Sequence, residues 1–366
     1  MIGGELLSRG SGSCIFYPNL PCSSNKKDKN RISKIIYNSK SKELYDREKE
    51  INEIIRSIKG HKKWCVIFDE YCKPPPYNIL KNYDKKGLKE CLKKVSVPAF
   101  DSNSLMLNGL YGGNTLVSYF KFKFNFVKSG KKFEKDFLEL MKMMRPLFLG
   151  LVELSKNNIC HNDIKYNNIV YKDKKTGFKF IDFGLSTHLN KKDDFKKRSR
   201  REFNTSRIYV FYPLEYIYYF SKNNELEKEA NKKRKNYDIL KNIYKIFNLN
   251  IDDIRADTIY RLSNKRINFE EMVEKIDIYS LGIQIPLLFY NYSNKINPHE
   301  DSNVIQDFYL LFKEMCQPFS NNRITPEKAL SKLDSLLKVH SNNNKKNLTK
   351  KKKLNNTKKK KTKKGK

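Results

Sequence analysis

The sequence predicts an α+β protein of two lobes: a small β-rich lobe with one main helix, and a larger, mostly helical lobe across a cleft. Three observations carry that expectation. Residues 5–108 hold short apolar runs of strand length and one amphipathic helical pattern. The loop Gly109-Leu110-Tyr111-Gly112-Gly113 then marks a change of composition. Beyond it, apolar residues recur at three- and four-residue intervals, the period of a helix with one buried face.

Taken in order, residues 5–37 read as short strands around a glycine-containing turn. Glu43–Ile58 reads as a helix, with Leu44, Ile51, Ile54, Ile55 and Ile58 on one broad face. Trp64–Phe68 reads as a compact strand. Residues 69–103 read as irregular, because Pro74-Pro75-Pro76 fits neither regular helix nor central strand. Ser104–Asn108 reads as a further strand. The long helical pattern of Phe133–Asn157 follows, then two short extended runs, Asn168–Tyr171 and Phe178–Ile181. Residues 191–202 are charged and read as mobile, and residues 222–276 as polar helices and loops. Ile276–Leu288 reads as a buried helix with Pro286 near its end, and Phe308–Cys316 and Pro326–Leu337 as two closing helices.

The 366 residues are 39% hydrophobic and 13% aromatic, enough to build a core, which excludes disorder of the whole chain. The longest largely apolar stretch, near Tyr279–Tyr290, falls short of the ~18–20 residues of a membrane span. The opening residues lack the basic start and apolar run of a secretory leader. The net charge is +35, and residues 345–366 hold 13 lysines and no acid. Such a tail attracts polyanions, nucleic acid among them; the charge of the body fits equally the A/T-rich codons of Lys, Asn, Ile and Tyr. The seven cysteines form no CxxC pair, which argues against zinc and for buried reduced thiols in a reducing compartment.

The chemistry concentrates in His161-Asn162-Asp163-Ile164-Lys165-Tyr166-Asn167-Asn168, followed by Asp182-Phe183-Gly184. Two carboxylates, a lysine and an amide on short loops are what phosphoryl transfer requires. One carboxylate takes the acceptor's proton and the lysine offsets charge on the moving phosphoryl. The other carboxylate and the amide hold Mg²⁺ through hard oxygen atoms. This run resembles the catalytic and metal-binding loops of the eukaryotic protein kinase superfamily, H-R-D-L-x-x-x-N and D-F-G. The resemblance implies a bilobal kinase-like fold, with Asp163 as base, Lys165 as phosphate-stabilising lysine, and Asn168 and Asp182 as metal ligands.

The resemblance extends to both sides. Pro213-Leu214-Glu215 is similar to the element that ends the activation segment, and Asp277–Gly282 to the helix start that braces the catalytic loop. Arg323 is similar to the late arginine that would pair with Glu215. Lys34, in a strand, resembles the lysine that grips the α/β-phosphates; its implied partner is Glu50, with Glu48 as the second choice. Leu7, Ser8, Gly10, Gly12, Ser13 and Ile15 align in part with the glycine loop over the nucleotide, with serines replacing the outer two glycines. Asn162 replaces the arginine of H-R-D, so switching by phosphate through that arginine is not expected. The opening and the Tyr111–Leu116 connector are similar to divergent serine/threonine kinases of large DNA viruses.

The expected organisation is an N-lobe over residues 1–111, a C-lobe over 112–338, and a disordered Lys-rich tail over 339–366. The expected function is a serine/threonine protein kinase using ATP and Mg, acting inside cells, in host cytoplasm or virion if viral. The basic stretch Lys191–Arg201 points to acceptors with acidic neighbours, and the tail to a polyanion or nucleic-acid contact. Two alternatives stand beside this. A silent kinase-fold scaffold would explain the altered glycine loop, but would not need Lys34, Asp163, Asn168 and Asp182 together. A small-molecule phosphotransferase would explain His161-Asn162-Asp163, but not Lys165 or the Pro213–Glu215 element.

Overall fold

The computed structural model describes residues 4–10, 13–22, 28, 30–36, 41–92, 104–124, 130–230, 232, 234–292 and 302–341. The N-terminal lobe is built on an antiparallel sheet of β1 (Glu5–Arg9), β2 (Ser13–Tyr17), β3 (Arg31–Ile36), β4 (Phe68–Cys72) and β5 (Leu105–Leu110), in the order β1-β2-β3-β5-β4. Side chains alternate between its faces along each strand. One cross-strand row, Ser8, Ile15, Lys34, Leu107 and Tyr71, faces the second lobe. The next row carries Cys14, Ile35, Met106 and Cys72 to the opposite face.

Each face is covered by a helix. The helix α1 (Ser41–Ser57) presents Glu48, Ile51, Asn52 and Ile55, all at most 2% exposed, on the cleft side. The outer face is closed by α2 (Tyr77–Leu92), whose Leu80 and Leu88 pack with Cys14, Phe16, Leu20 and Met106 into a separate small core. Residues 69–72 and 77–92 are therefore strand and helix, the helix kinked at Asp84, where an irregular segment was expected from the proline run. Pro74-Pro75-Pro76 sits between β4 and α2, and the Pro76 carbonyl accepts the first α2 amide bonds. The strand expected at Trp64–Phe68 begins only at Phe68; a short 3₁₀ turn at His61–Lys63 precedes it.

The cysteines correct a second expectation. Cys14 is bonded to Cys91 at the end of α2, and Cys22 to Cys72 in β4. The strand register brings Cys14 and Cys72 to the outer face, and Cys22 and Cys91 meet them there around the small core. Cys65, Cys160 and Cys316 are free and buried, as expected of apolar thiols.

The connector after β5 turns at Gly112 and Gly113. Gly113 has φ +95°, and a Cβ there would stand 2.1 Å from the Tyr171 carbonyl oxygen, so only glycine passes. The second lobe begins with β6 (Asn114–Thr115), α3 (Leu116–Phe124) and the long α4 (Lys131–Lys156). Short strands β7 (Ile159–Cys160), β8 (Ile169–Tyr171), β9 (Lys179–Phe180) and β10 (Thr187–His188) carry the loops of interest.

Residues 191–202, expected to be mobile, belong to the helix α5 (Lys192–Phe203). Phe195 anchors it edge-on to Tyr216 and Phe269, and Ser199 donates to the Ile217 carbonyl at 3.2 Å. The helix expected at Ile276–Leu288 is two helices, Ile276–Gly282 and Gln284–Tyr292. Pro286 lies in the first turn of the second, where a missing amide proton leaves no bond unmade. The last helix continues to residue 341, past the expected boundary at 338; residues 342–366, most of the Lys-rich tail, lie outside the described residues.

Candidate active site

Asp163 follows β7 on a loop fixed from below. The buried Asp277 carboxylate accepts the backbone amides of His161 at 2.5 Å and Asn162 at 3.0 Å. Those bonds hold Asn162 in the left-handed region, φ +58°, which asparagine tolerates better than most residues. Asp163 itself is 4% exposed. Its Oδ2 accepts Lys165 Nζ at 2.7 Å and Asn168 Nδ2 at 2.9 Å, and its Oδ1 accepts the Tyr209 hydroxyl at 2.7 Å.

Asn168 closes the loop a second time, through Nδ2 to the Asp163 carbonyl at 3.0 Å. Its own carbonyl accepts the Ile181 amide at 3.0 Å, so the residue before Asp182 is tied to the loop that holds Asp163. The β8–β9 pairing sets Ile169 opposite Phe180 and closes the hairpin between the two loops. His161 packs its ring on Phe183, centroids 4.6 Å apart, and its Nε2 lies 3.2 Å from the Ile181 carbonyl.

Asp182 stands at φ +65° ahead of a 3₁₀ turn at Phe183–Leu185. Across the cleft, Lys34 Nζ lies 2.7 Å from Asp182 Oδ1 and 2.8 Å from Glu48 Oε2. Burial alone would lower the Lys34 pKa; Asp182 and Glu48 outweigh it and raise it. Burial pushes the Glu48 carboxyl up, with Lys34 acting against it. For Asp182 the desolvation cost is overcome by Lys34, which holds its pKa down to about 2, with a smaller pull from Lys165. Gly184 leaves this cluster room: a Cβ there would stand 3.2 Å from Glu48 Oε2, closer than most Cβ contacts, and 3.5 Å from Lys34 Nζ, an ordinary contact.

The partner of Lys34 is thus Glu48, and the expectation of Glu50 is corrected. Two residues along a helix are ~200° apart, so both glutamates cannot share a face. Glu48 lies three and seven residues before Ile51 and Ile55, on the buried face; Glu50 is 51% exposed and pairs with Lys191 at 3.6 Å.

Ser8, Ile15 and Lys34 are direct cross-strand neighbours on the cleft face. Leu7 falls in a bulge between Leu6 and Ser8 and is 49% exposed. The Gly10 amide donates to the Ser13 carbonyl at 2.8 Å, closing the turn from β1 to β2; Gly12 lies outside the described residues.

Three residues beyond the motif are brought to the loop that holds Asp163. Tyr209 donates to Asp163, Tyr212 donates to the Asn162 carbonyl at 2.5 Å, and Arg198 Nη2 comes within 3.9 Å of Asp163 Oδ1. The sequence signal for the tyrosines was their position just before Pro213; Arg198 was hidden among the surface cations of its helix. Glu215 and Arg323, both fully buried, meet at 2.9 Å, as their resemblance implied.

The donor set suits a divalent ion bound with nucleotide. Asn168 directs its Nδ2 at Asp163, which turns its amide oxygen away from that residue, and Asp182 adds a carboxylate; both are hard oxygen donors.

A family model described as protein kinase domain matches residues 9–211, more than half of the chain. Similar curated proteins include the non-specific serine/threonine protein kinase Cdc7 of Drosophila melanogaster, 34% identical over 55 residues, 15% of this chain and 8% of that protein. Calcium-dependent protein kinase 4 of Plasmodium berghei and that of Plasmodium falciparum are each 27% identical over 112 residues, 29% of this chain and 19% of theirs. The chain spans less than a fifth of the length of these relatives.

Proposed function

This chain belongs to the protein kinase family, and from that premise we propose that it is an active serine/threonine kinase, transferring the γ-phosphate of ATP to hydroxyls of protein substrates. The observation that carries this reading is the meeting of Lys34 with Asp182 across the cleft, beside the loop of Asp163, Lys165 and Asn168. In the proposed reaction Asp163 accepts the proton of the attacking hydroxyl. Lys165, bonded to the same carboxylate, offsets charge on the phosphoryl group in flight. Lys34 positions the α/β-phosphates, and Ser8, Ile15 and Leu107 form the cover of the nucleotide site. Asn168 and Asp182 would hold Mg²⁺, whose contribution when bound is to neutralise charge between the phosphates.

Lys165, two residues after Asp163, supports serine or threonine as acceptor. Lys196, Lys197 and Arg201 are exposed on α5, which supports acceptors with acidic neighbours. Arg198 and Arg200 do not contribute to that surface: the first turns to Asp163, the second pairs with Glu225 at 2.7 Å.

Purified full-length protein incubated with Mg²⁺ and labelled ATP should label generic protein acceptors, and Asp163→Asn should not. Equal labelling by wild type and Asp163→Asn would end the assignment. A preference for basic over acidic acceptor peptides would remove the substrate reading alone.

A further inference from the structure

Two cations reach Asp163. Lys165 belongs to its own loop. Arg198 comes from α5, 35 residues along the chain, and nothing in the reaction proposed above uses it. Its side chain is only 11% exposed, and its Nε lies 3.0 Å from the Tyr212 hydroxyl and 3.5 Å from Glu202 Oε1. It is stacked over two rings, 5.5 Å from the Tyr209 centroid and 5.4 Å from that of Tyr212. Each of those tyrosines donates to the catalytic loop, Tyr209 to Asp163 and Tyr212 to the Asn162 carbonyl. Burial, then Asp163, raise the Tyr209 pKa, so its hydroxyl keeps the proton it donates.

The geometry therefore joins α5, the Tyr209–Tyr212 segment and the catalytic loop through one buried arginine. Lys165 and Asn168 occupy Oδ2 of Asp163. Tyr209 fixes the plane of the carboxylate through Oδ1, and that oxygen keeps a further lone pair for an incoming hydroxyl. Position 162, an asparagine, brings no charge, so the cation that ties loop to segment is contributed by the segment.

We infer that Arg198 is a positioning residue for Asp163, acting through Tyr209 and Tyr212, and that it holds the segment in its working shape with no phosphate added to the chain. This rests on the kinase reading above. It extends that reading by naming what replaces a phosphorylation switch.

The test uses the full-length protein, treated with phosphatase and verified as unmodified by intact mass. Steady-state kinetics with Mg·ATP and a protein acceptor are compared for wild type, Arg198→Met, Arg198→Lys and Tyr209→Phe. Arg198→Met should lower kcat by roughly tenfold to a hundredfold, while the KM for ATP stays within about twofold. Arg198→Lys should recover only part, because an ammonium lacks the planar fork that stacks and bonds at once. Tyr209→Phe, which deletes one oxygen and keeps the packing, should lower kcat in the same pattern even where an arginine variant folds poorly. Phosphatase should leave wild-type kcat unchanged. The inference is overturned by a wild-type kcat in both Arg198→Met and Tyr209→Phe, or by loss of activity on phosphatase treatment. It is equally overturned by a rise in kcat for Tyr209→Phe, which would make the tyrosine a plug of the acceptor site. A wild-type protein that labels no acceptor would instead remove the kinase reading beneath it.

Discussion

Lys34 and Asp182 are 148 residues apart in the chain and 2.7 Å apart in space, one from each lobe. Lys34 also holds the buried Glu48, so a single ammonium links sheet, helix and second lobe. Removing it leaves Glu48 as an uncompensated interior charge, a defect that costs about 3–5 kcal/mol at neutral pH.

The pH dependence of that cost has a definite sign. The Asp182 pKa is lowered to about 2, so its contribution to stability is present above its unfolded value and is lost as pH falls through about 2. The Glu48 carboxyl is raised by burial and protonates more readily still once Lys34 is gone. Both effects run the same way. The thermal midpoint of Lys34→Met should lie well below wild type at neutral pH, and the gap should narrow on acidification. A gap that widened toward low pH would show that the lysine is not paired with these carboxylates.

Glu48 and Glu50 offer a sharper comparison. Glu48→Gln removes a charge that orients Lys34, and should lower kcat/KM by roughly tenfold to a hundredfold through misplaced phosphates. Glu50→Gln removes only a half-exposed charge 3.6 Å from Lys191, worth under about 1 kcal/mol. Its activity should match wild type. Reversal of that order would restore Glu50 as the partner.

How much of this was legible beforehand follows from range. The two-lobe order, the long α4 and the catalytic loop are written in local periodicity and in closely spaced motifs. The Glu48 pairing was legible too, since stepping back three and seven residues from Ile51 and Ile55 reaches it. Arg198 was not, because a helix of mixed charge does not reveal which cation turns inward until Tyr209 and Tyr212 are in place. Nor was α2. A proline run marks where regular structure stops, but not that a helix begins again at Tyr77 to cover a sheet face assembled from distant strands.

The disulfides belong to that same long-range class, and they carry a prediction about the outer face. Cys14–Cys91 closes a separation of 77 residues and Cys22–Cys72 one of 50, both around the core of Phe16, Leu80, Leu88 and Met106. Cross-links of that span stabilise by about 2–5 kcal/mol. Peptide mapping without reductant should recover both linked pairs, and reductant should lower the thermal midpoint. Cys14→Ser combined with Cys91→Ser should reproduce part of that loss. Seven titratable thiols in denatured, unreduced protein would contradict the pairing and restore the reduced-thiol expectation.

Glu215 and Arg323 close the second lobe beneath the site, and their pairing predicts an asymmetry. Both are fully buried; Arg323 Nη2 reaches Glu215 Oε1 at 2.9 Å and also the Gln317 and Pro318 carbonyls, while Glu215 Oε2 accepts the Ser320 amide at 3.1 Å. Burial pushes the Glu215 carboxyl up and Arg323 pulls it back. Arg323→Met removes the partner of a carboxyl and of three carbonyls, those of Gln317, Pro318 and Lys275, and should cost about 3–5 kcal/mol. Glu215→Gln keeps an acceptor for Arg323 and Ser320, and should cost distinctly less. Denaturant midpoints on the two variants measure the difference. Because neither residue touches Asp163 or Asp182, the protein that remains folded should retain its kcat. A kcat that collapsed in a fully folded Glu215→Gln would show the pair acting on the chemistry rather than on the fold.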